Sequence, residues 1–262
     1  MDYRHIRRET DQGVARLTLA RPEVLNSFNR GMVAELRAAF TAVAADAEVR
    51  AVLLTGEGRA FCAGQDLAEA VPPDGTPRPD IGDIVEGYNG LILAIRTLEK
   101  PVVGAVNGVA AGAGANIALA CDIVLAADDA SFIQAFAKIG LLPDNGGTFF
   151  LPRLVGMARA TSLAMLADRL PAQRALEWGM IYDVVPSGVL LDTATDLARQ
   201  LATQPTRGLG LIKRALNASW ENDLARQLAL EAELQREAGR TADYLEGVRA
   251  FQQKRKPGFV GR

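Results

Sequence analysis

The sequence predicts an α/β core followed by a helical C-terminal region, on three observations. Short apolar runs alternate with stretches of helical periodicity up to Gly188. Two of those runs lead into turns rich in small residues, Phe61-Cys62-Ala63-Gly64 and Gly112-Ala113-Gly114. Beyond Gly188, residues 190–253 are helical by periodicity almost throughout and rich in Ala, Leu, Glu, Gln and Arg. Strands that alternate with helices favour parallel pairing.

In chain order, Val14-Ala15-Arg16-Leu17-Thr18-Leu19 alternates apolar and polar residues before Arg21-Pro22, as a strand entering a turn does. Residues 30–45 carry Met32, Val33, Leu36, Phe40 and Val43 at helical spacing. Val52-Leu53-Leu54 is a short buried strand, and the glycine-rich stretch 56–67 follows it. Segment 71–79 holds four prolines and a glycine, which marks a surface loop. A helix over 84–98 then leads to the buried strand 102–106. The small residues 110–115 follow, then a packed helix over 117–120 and a strand over 122–126. Pro205 and residues 217–222 interrupt the C-terminal helices. The expected division is a core over 1–188 and a helical region over 189–262, without an internal sequence repeat.

Of 262 residues, 49% are hydrophobic and 23% charged, with a net charge of -2. Both signs are interspersed, so there is no basic footprint for nucleic acid. No run reaches the roughly 18 apolar residues of a membrane span. Cys62 and Cys121 lie far apart and form no CxxC pair, which points to a reducing cytoplasm. The single histidine, His5, is expected on the first strand as a solvated residue. With one histidine, a Ser-His-Asp or Cys-His mechanism would depend on that residue alone, and zinc clusters lack ligands.

The two small-residue turns let a ligand approach the backbone, and free amides there could stabilise an oxyanion. Close helix–strand packing explains the same residues. A dinucleotide fingerprint fails at Gly112-Ala113-Gly114, because Ile117 stands where a third glycine belongs. Asp144, in Pro143-Asp144-Asn145-Gly146-Gly147-Thr148, is either a helix cap or a working acid.

Taken together these residues resemble the enoyl-CoA hydratase/isomerase, or crotonase, superfamily. The resemblance runs through Arg21-Pro22, Asn26-Ser27-Phe28, Gly64-Gln65-Asp66-Leu67, Asn107-Gly108, Gly112-Ala113-Gly114, Cys121-Asp122, Gly146-Gly147-Thr148 and Phe251-Gln252-Gln253-Lys254-Arg255. It implies a spiral of ββα units with a helical C-terminal trimerisation region, assembled as a homotrimer or homohexamer. It implies an acyl-CoA substrate, with coenzyme A as part of that substrate and no catalytic cofactor. The thioester oxygen would lie between the backbone N–H groups of Ala63 and Ala113. Ala63, Gln65, Asp66, Leu67 and Gly112 would line the coenzyme, with Phe251 and Lys254 reaching it from the C-terminal region, often from a neighbouring subunit.

Hydratases of this family carry two glutamates that activate water, but the matching positions here are Asn116 and Phe136. Neither is a useful base. Isomerases of the family often place their aspartate near Asp144. Stretches around Asp144, Trp178-Gly179-Met180-Ile181 and Gly208-Leu209-Gly210-Leu211-Ile212-Lys213 are similar to family isomerases that convert a ring epoxide of an arylacetyl-CoA to an oxepin-CoA. The expected mechanism is one-base isomerisation by Asp144 through a thioester enolate, in a pocket walled by Phe132, Phe136 and Leu142. A fatty-acid enoyl-CoA isomerase or hydratase is the runner-up, and a non-catalytic coenzyme- or RNA-binding scaffold the remote alternative.

Overall fold

The computed structural model describes residues 3–70, 76–77 and 79–262. The surface loop expected over 71–79 therefore falls largely outside the described residues.

Among the described residues ten strands form two sheets. Strands β1 (Ile6–Asp11), β2 (Val14–Leu19), β3 (Ala51–Gly56), β5 (Val102–Val106), β7 (Ile123–Ala127) and β10 (Asp183–Val185) pair in that order. Strands β4 (Ala60–Cys62), β6 (Val109–Ala111), β8 (Ser131–Ile133) and β9 (Arg169–Pro171) form the second sheet in that order. β1–β2 and β8–β9 are antiparallel and every other pair is parallel. Each of β3, β5 and β7 in the first sheet is followed within a few residues by β4, β6 or β8 in the second. The chain thus climbs as a spiral, one strand per sheet per turn. β3 and β5 are buried almost end to end, as strands covered on both faces must be.

The helices are α1 (Arg30–Ala45), α2 (Leu67–Ala70), α3 (Ile81–Thr97), α4 (Ala113–Leu119), α5 (Gly147–Val155), α6 (Met157–Leu166), α7 (Ala172–Glu177), α8 (Leu190–Ala202), α9 (Thr206–Ala218), α10 (Leu224–Ala238) and α11 (Ala242–Gln252). α1 starts where Asn29 accepts a hydrogen bond from Met32 N–H at 2.7 Å. It buries Met32, Val33, Leu36, Ala39, Phe40 and Val43, and each large apolar side chain so buried is worth roughly 1.5–3 kcal/mol against exposure. α8 packs its buried face, Leu190, Ala194, Ala198 and Ala202, on β3, β5 and β7.

Three expectations shift. α3 begins at Ile81 rather than Ile84, with Asp80 accepting from Gly82 N–H at 2.6 Å. α4 begins inside the small-residue run, because Gly112 at φ +50° turns the chain there. His5 stands just before β1; its N–H donates to Glu35 Oε2 at 2.8 Å, and its ring lies against Gly31. Among the described residues no helix is long and apolar enough to cross a membrane.

Candidate active site

The site forms where β4 and β6 end and the two small-residue turns meet. Gly64, at φ +102°, leaves so little room that a Cβ there would lie 3.0 Å from Ala111 O and 3.8 Å from Ala113 N. Side-chain-free backbone is what allows this approach.

A ladder to residues 25–28 holds the first turn. Ala63 N–H donates to Leu25 O at 3.0 Å, Phe28 N–H to Gly64 O at 2.7 Å and Asp66 N–H to Phe28 O at 2.8 Å. The Ala63 amide expected in an oxyanion hole is therefore already occupied, which corrects that assignment. In this parallel bridge the amide of Gln65 points away from residue 28. Neither Gln65 N–H nor Ala113 N–H has an acceptor among the described residues. Ala113 opens α4, where amides lack intrahelical partners. Gln65, singled out in the sequence only as a coenzyme-lining residue, thus has the unoccupied amide that Ala63 lacks.

Two side chains brace this turn. Arg21 donates to Ser27 O at 2.6 Å and to Asp66 Oδ2 at 2.8 Å. Asn26, fully buried, donates to Glu57 O and Ala60 O at 2.9 and 2.8 Å and accepts from Arg21 N–H. Asp66, expected beside the coenzyme, is committed to Arg21 and to Ala68 N–H. Leu67 is exposed at the start of α2.

Asp144 does not cap α5; that helix is capped by Gly146 at φ +79°, without a side-chain bond. The Asp144 carboxyl accepts from Asn145 Nδ2. Burial raises its pKa, and the Asn145 bond partly offsets this. Asn116 Nδ2 donates to the main-chain oxygen of Asp144 at 2.8 Å, which joins the aspartate to α4, the helix that begins with Ala113.

The expected pocket walls divide. The Phe136 ring is buried and faces Gly112, 3.6 Å from where a Cβ would stand. Phe132 is part of the main core on β8. Leu142 is 71% exposed, so within one chain it is not a buried wall. Phe251 is exposed at the end of α11 and borders an apolar groove of about 560 Å³ with Pro205, Tyr244, Val248 and Phe259. Lys254 follows α11 at φ +52°. Neither joins Asp144 within the chain.

The chain belongs to the enoyl-CoA hydratase/isomerase family, whose model matches residues 9–262. It is 56% identical to the 1,2-epoxyphenylacetyl-CoA isomerase of Escherichia coli over 254 residues, covering 96% of this chain and 97% of that one. It is 47% identical to the probable enoyl-CoA hydratase of Rhodobacter capsulatus, each covered completely. A crystal structure of an enoyl-CoA hydratase from Polaromonas sp. superposes with a TM-score of 0.91 at 36% identity, over 97% of this chain and 99% of that one. The fold is the crotonase fold.

Proposed function

We propose that this enzyme isomerises 1,2-epoxyphenylacetyl-CoA to an oxepin-CoA through a thioester enolate. The observation that carries the reading is the acid inventory. Asp144 is a partly buried carboxyl with a raised pKa, while positions 116 and 136 hold an amide and a phenyl ring. The similarity to the E. coli isomerase supports the substrate.

Gln65 N–H and Ala113 N–H polarise the thioester carbonyl, each worth about 2.7–4 kcal/mol in comparable oxyanion sites. The adjacent carbon becomes acidic and Asp144 removes its proton. The electron pair moves onto the thioester oxygen between the two amides. The bond between the two epoxide carbons breaks as the six-membered ring expands to seven, and Asp144 returns one proton to a ring carbon for the one taken from the α-carbon, so no atom is gained or lost. The same parts serve a double-bond shift in an enoyl-CoA.

Coenzyme A enters as part of the substrate, alongside Gln65 and Leu67. Phe251 and Lys254 reach it from a neighbouring subunit of a trimer or hexamer, assembled through the helices that follow α8, which itself packs on β3, β5 and β7 of its own chain. Leu224 and Leu228 on α10, and Leu216 on α9, are exposed apolar side chains that suit that role. Two buried free thiols are consistent with a cytoplasmic protein.

The test compares epoxidised phenylacetyl-CoA, generated in situ by its epoxidase, with crotonyl-CoA in water. Rapid oxepin-CoA formation with little hydration supports the reading, and fast hydration overturns it. Asp144→Asn lowers kcat by about 10²–10⁴-fold, the usual contribution of a general base. Full turnover by that variant sinks the mechanism.

A further inference from the structure

We propose that Asn116, oriented by Gln134, is the positioning residue for the Asp144 base, and that this commits the site to one-base isomerisation instead of two-acid hydration. The inference rests on the reading of Asp144 given above.

A carbonyl oxygen only accepts hydrogen bonds, so the Asn116 atom facing Asp144 O is the amide nitrogen. Asn116 Oδ1 then faces Gln134, which donates from Nε2 at 2.8 Å. Both side chains are buried, Asn116 at 0% and Gln134 at 3% exposure. Asp144 O receives a second donor, Gly147 N–H at 2.8 Å. Its two lone pairs are thus both satisfied, one by the first residue of α5 and one by α4.

The consequence is geometric. Ala113 and Asn116 share the first turn of α4, so one short helix carries both an oxyanion amide and the side chain that holds the base. Of the two donors on Asp144 O, the Asn116 amide is the one that ties the base to the helix carrying Ala113. Asn145, at φ +49°, follows Asp144 immediately, so the aspartate sits on a backbone bend that the Asn116 bond holds in place.

The chemical consequence concerns position 116. An ionised carboxylate has no hydrogen to donate. Placed there, it would leave Asp144 O one donor short and set negative charge against a carbonyl oxygen. A water-activating acid at 116 and an Asp144 held in this way are therefore incompatible. Gln134, which sequence reading passed over, completes the selection. Its donor suits the Asn116 oxygen and leaves the amide nitrogen for Asp144.

Three variants, assayed per folded enzyme with epoxidised phenylacetyl-CoA, decide it. Asn116→Asp keeps the shape and removes the donor, and we expect kcat to fall about 10- to 100-fold, the range for a misplaced reacting group, with KM changed less than about twofold. Gln134→Met should repeat the kcat-selective loss more weakly, and it serves if Asn116→Asp does not fold. A purely structural role would lower Tm and leave kcat and KM of the folded fraction at wild-type values, and that result overturns the inference. Asp144→Asn separates the two levels. If it is inactive while Asn116→Asp and Gln134→Met retain wild-type kcat, only the positioning inference fails. If Asp144→Asn itself retains turnover, the base assignment fails and the inference with it.

Discussion

Gly114 lies so close over Cys62 that a Cβ on the glycine would stand 2.4 Å from the Cys62 carbonyl oxygen and 2.8 Å from its sulfur. With Gly64 against Ala111, it is the second close approach between the two turns that carry Gln65 and Ala113. The meeting of the two turns is therefore a packing product, possible because two side chains are missing.

Substitution at these glycines should separate stability from catalysis. Gly64→Ala forces a left-handed alanine, at a cost of about 1–3 kcal/mol, and pushes on Ala111. We expect a lowered Tm and a larger proportional loss in kcat than in thioester affinity. Gly114→Ala meets rigid backbone and should yield little folded protein. Circular-dichroism melts and steady-state kinetics check both.

Arg21→Lys tests the brace on the first turn. The guanidinium reaches Ser27 O and Asp66 together, and a lysine cannot reproduce that fork. Losing one charge-assisted bond costs about 1.5–3 kcal/mol. We expect chemical denaturation to show a loss of that size, together with reduced kcat. Unchanged kinetics would mean that the Gln65 amide holds its place without Arg21.

Asp144 should set the acid limb of the kcat profile. Its pKa is raised in the folded protein, so the base protonates, and activity falls, at a pH above the ordinary aspartate value of about 3.9. Stability follows the opposite course from that of a salt-bridged carboxylate. As pH rises from the unfolded pKa through the folded one, the unfolded chain ionises more readily and stability is lost. Below both values the group contributes nothing. Asp144→Asn should therefore raise Tm at neutral pH, and the gain should vanish in acid. A gain independent of pH would refute the desolvated carboxyl.

Both thiols should be inert in the folded enzyme. Burial pushes Cys62 and Cys121 up to about 12, so little thiolate exists near pH 8. A thiol reagent should label neither in native protein and both in denaturant. Rapid native labelling of Cys62 would mean that the turn opens.

Much of the fold was legible from periodicity. The α1 span, the buried strands β3 and β5, and the C-terminal helices all follow from apolar spacing, because burial acts on every turn of such elements. Helices α5 to α7 left weaker traces. Their segments are short and are broken by Pro152, Gly156 and Pro171, so no long periodic pattern accumulates. The spiral repeat had no sequence signature either. Its ββ steps share topology but use different side chains to fill each layer.

The site divides in the same way. From the residues themselves came the small-residue turns and an Asp144 open to two roles, while the resemblance to the family marked Asp144 as the working acid and Asn116 and Phe136 as the places of the two absent glutamates. Which amide is unoccupied was decided only in three dimensions, where Leu25 takes Ala63 N–H and leaves Gln65 without an acceptor. So was the link from Gln134 through Asn116 to Asp144, which spans three separate segments. Residue type determines what a group can donate or accept. Only the packed chain determines which donors find partners, because hydrogen bonds depend on distances that sequence spacing does not contain.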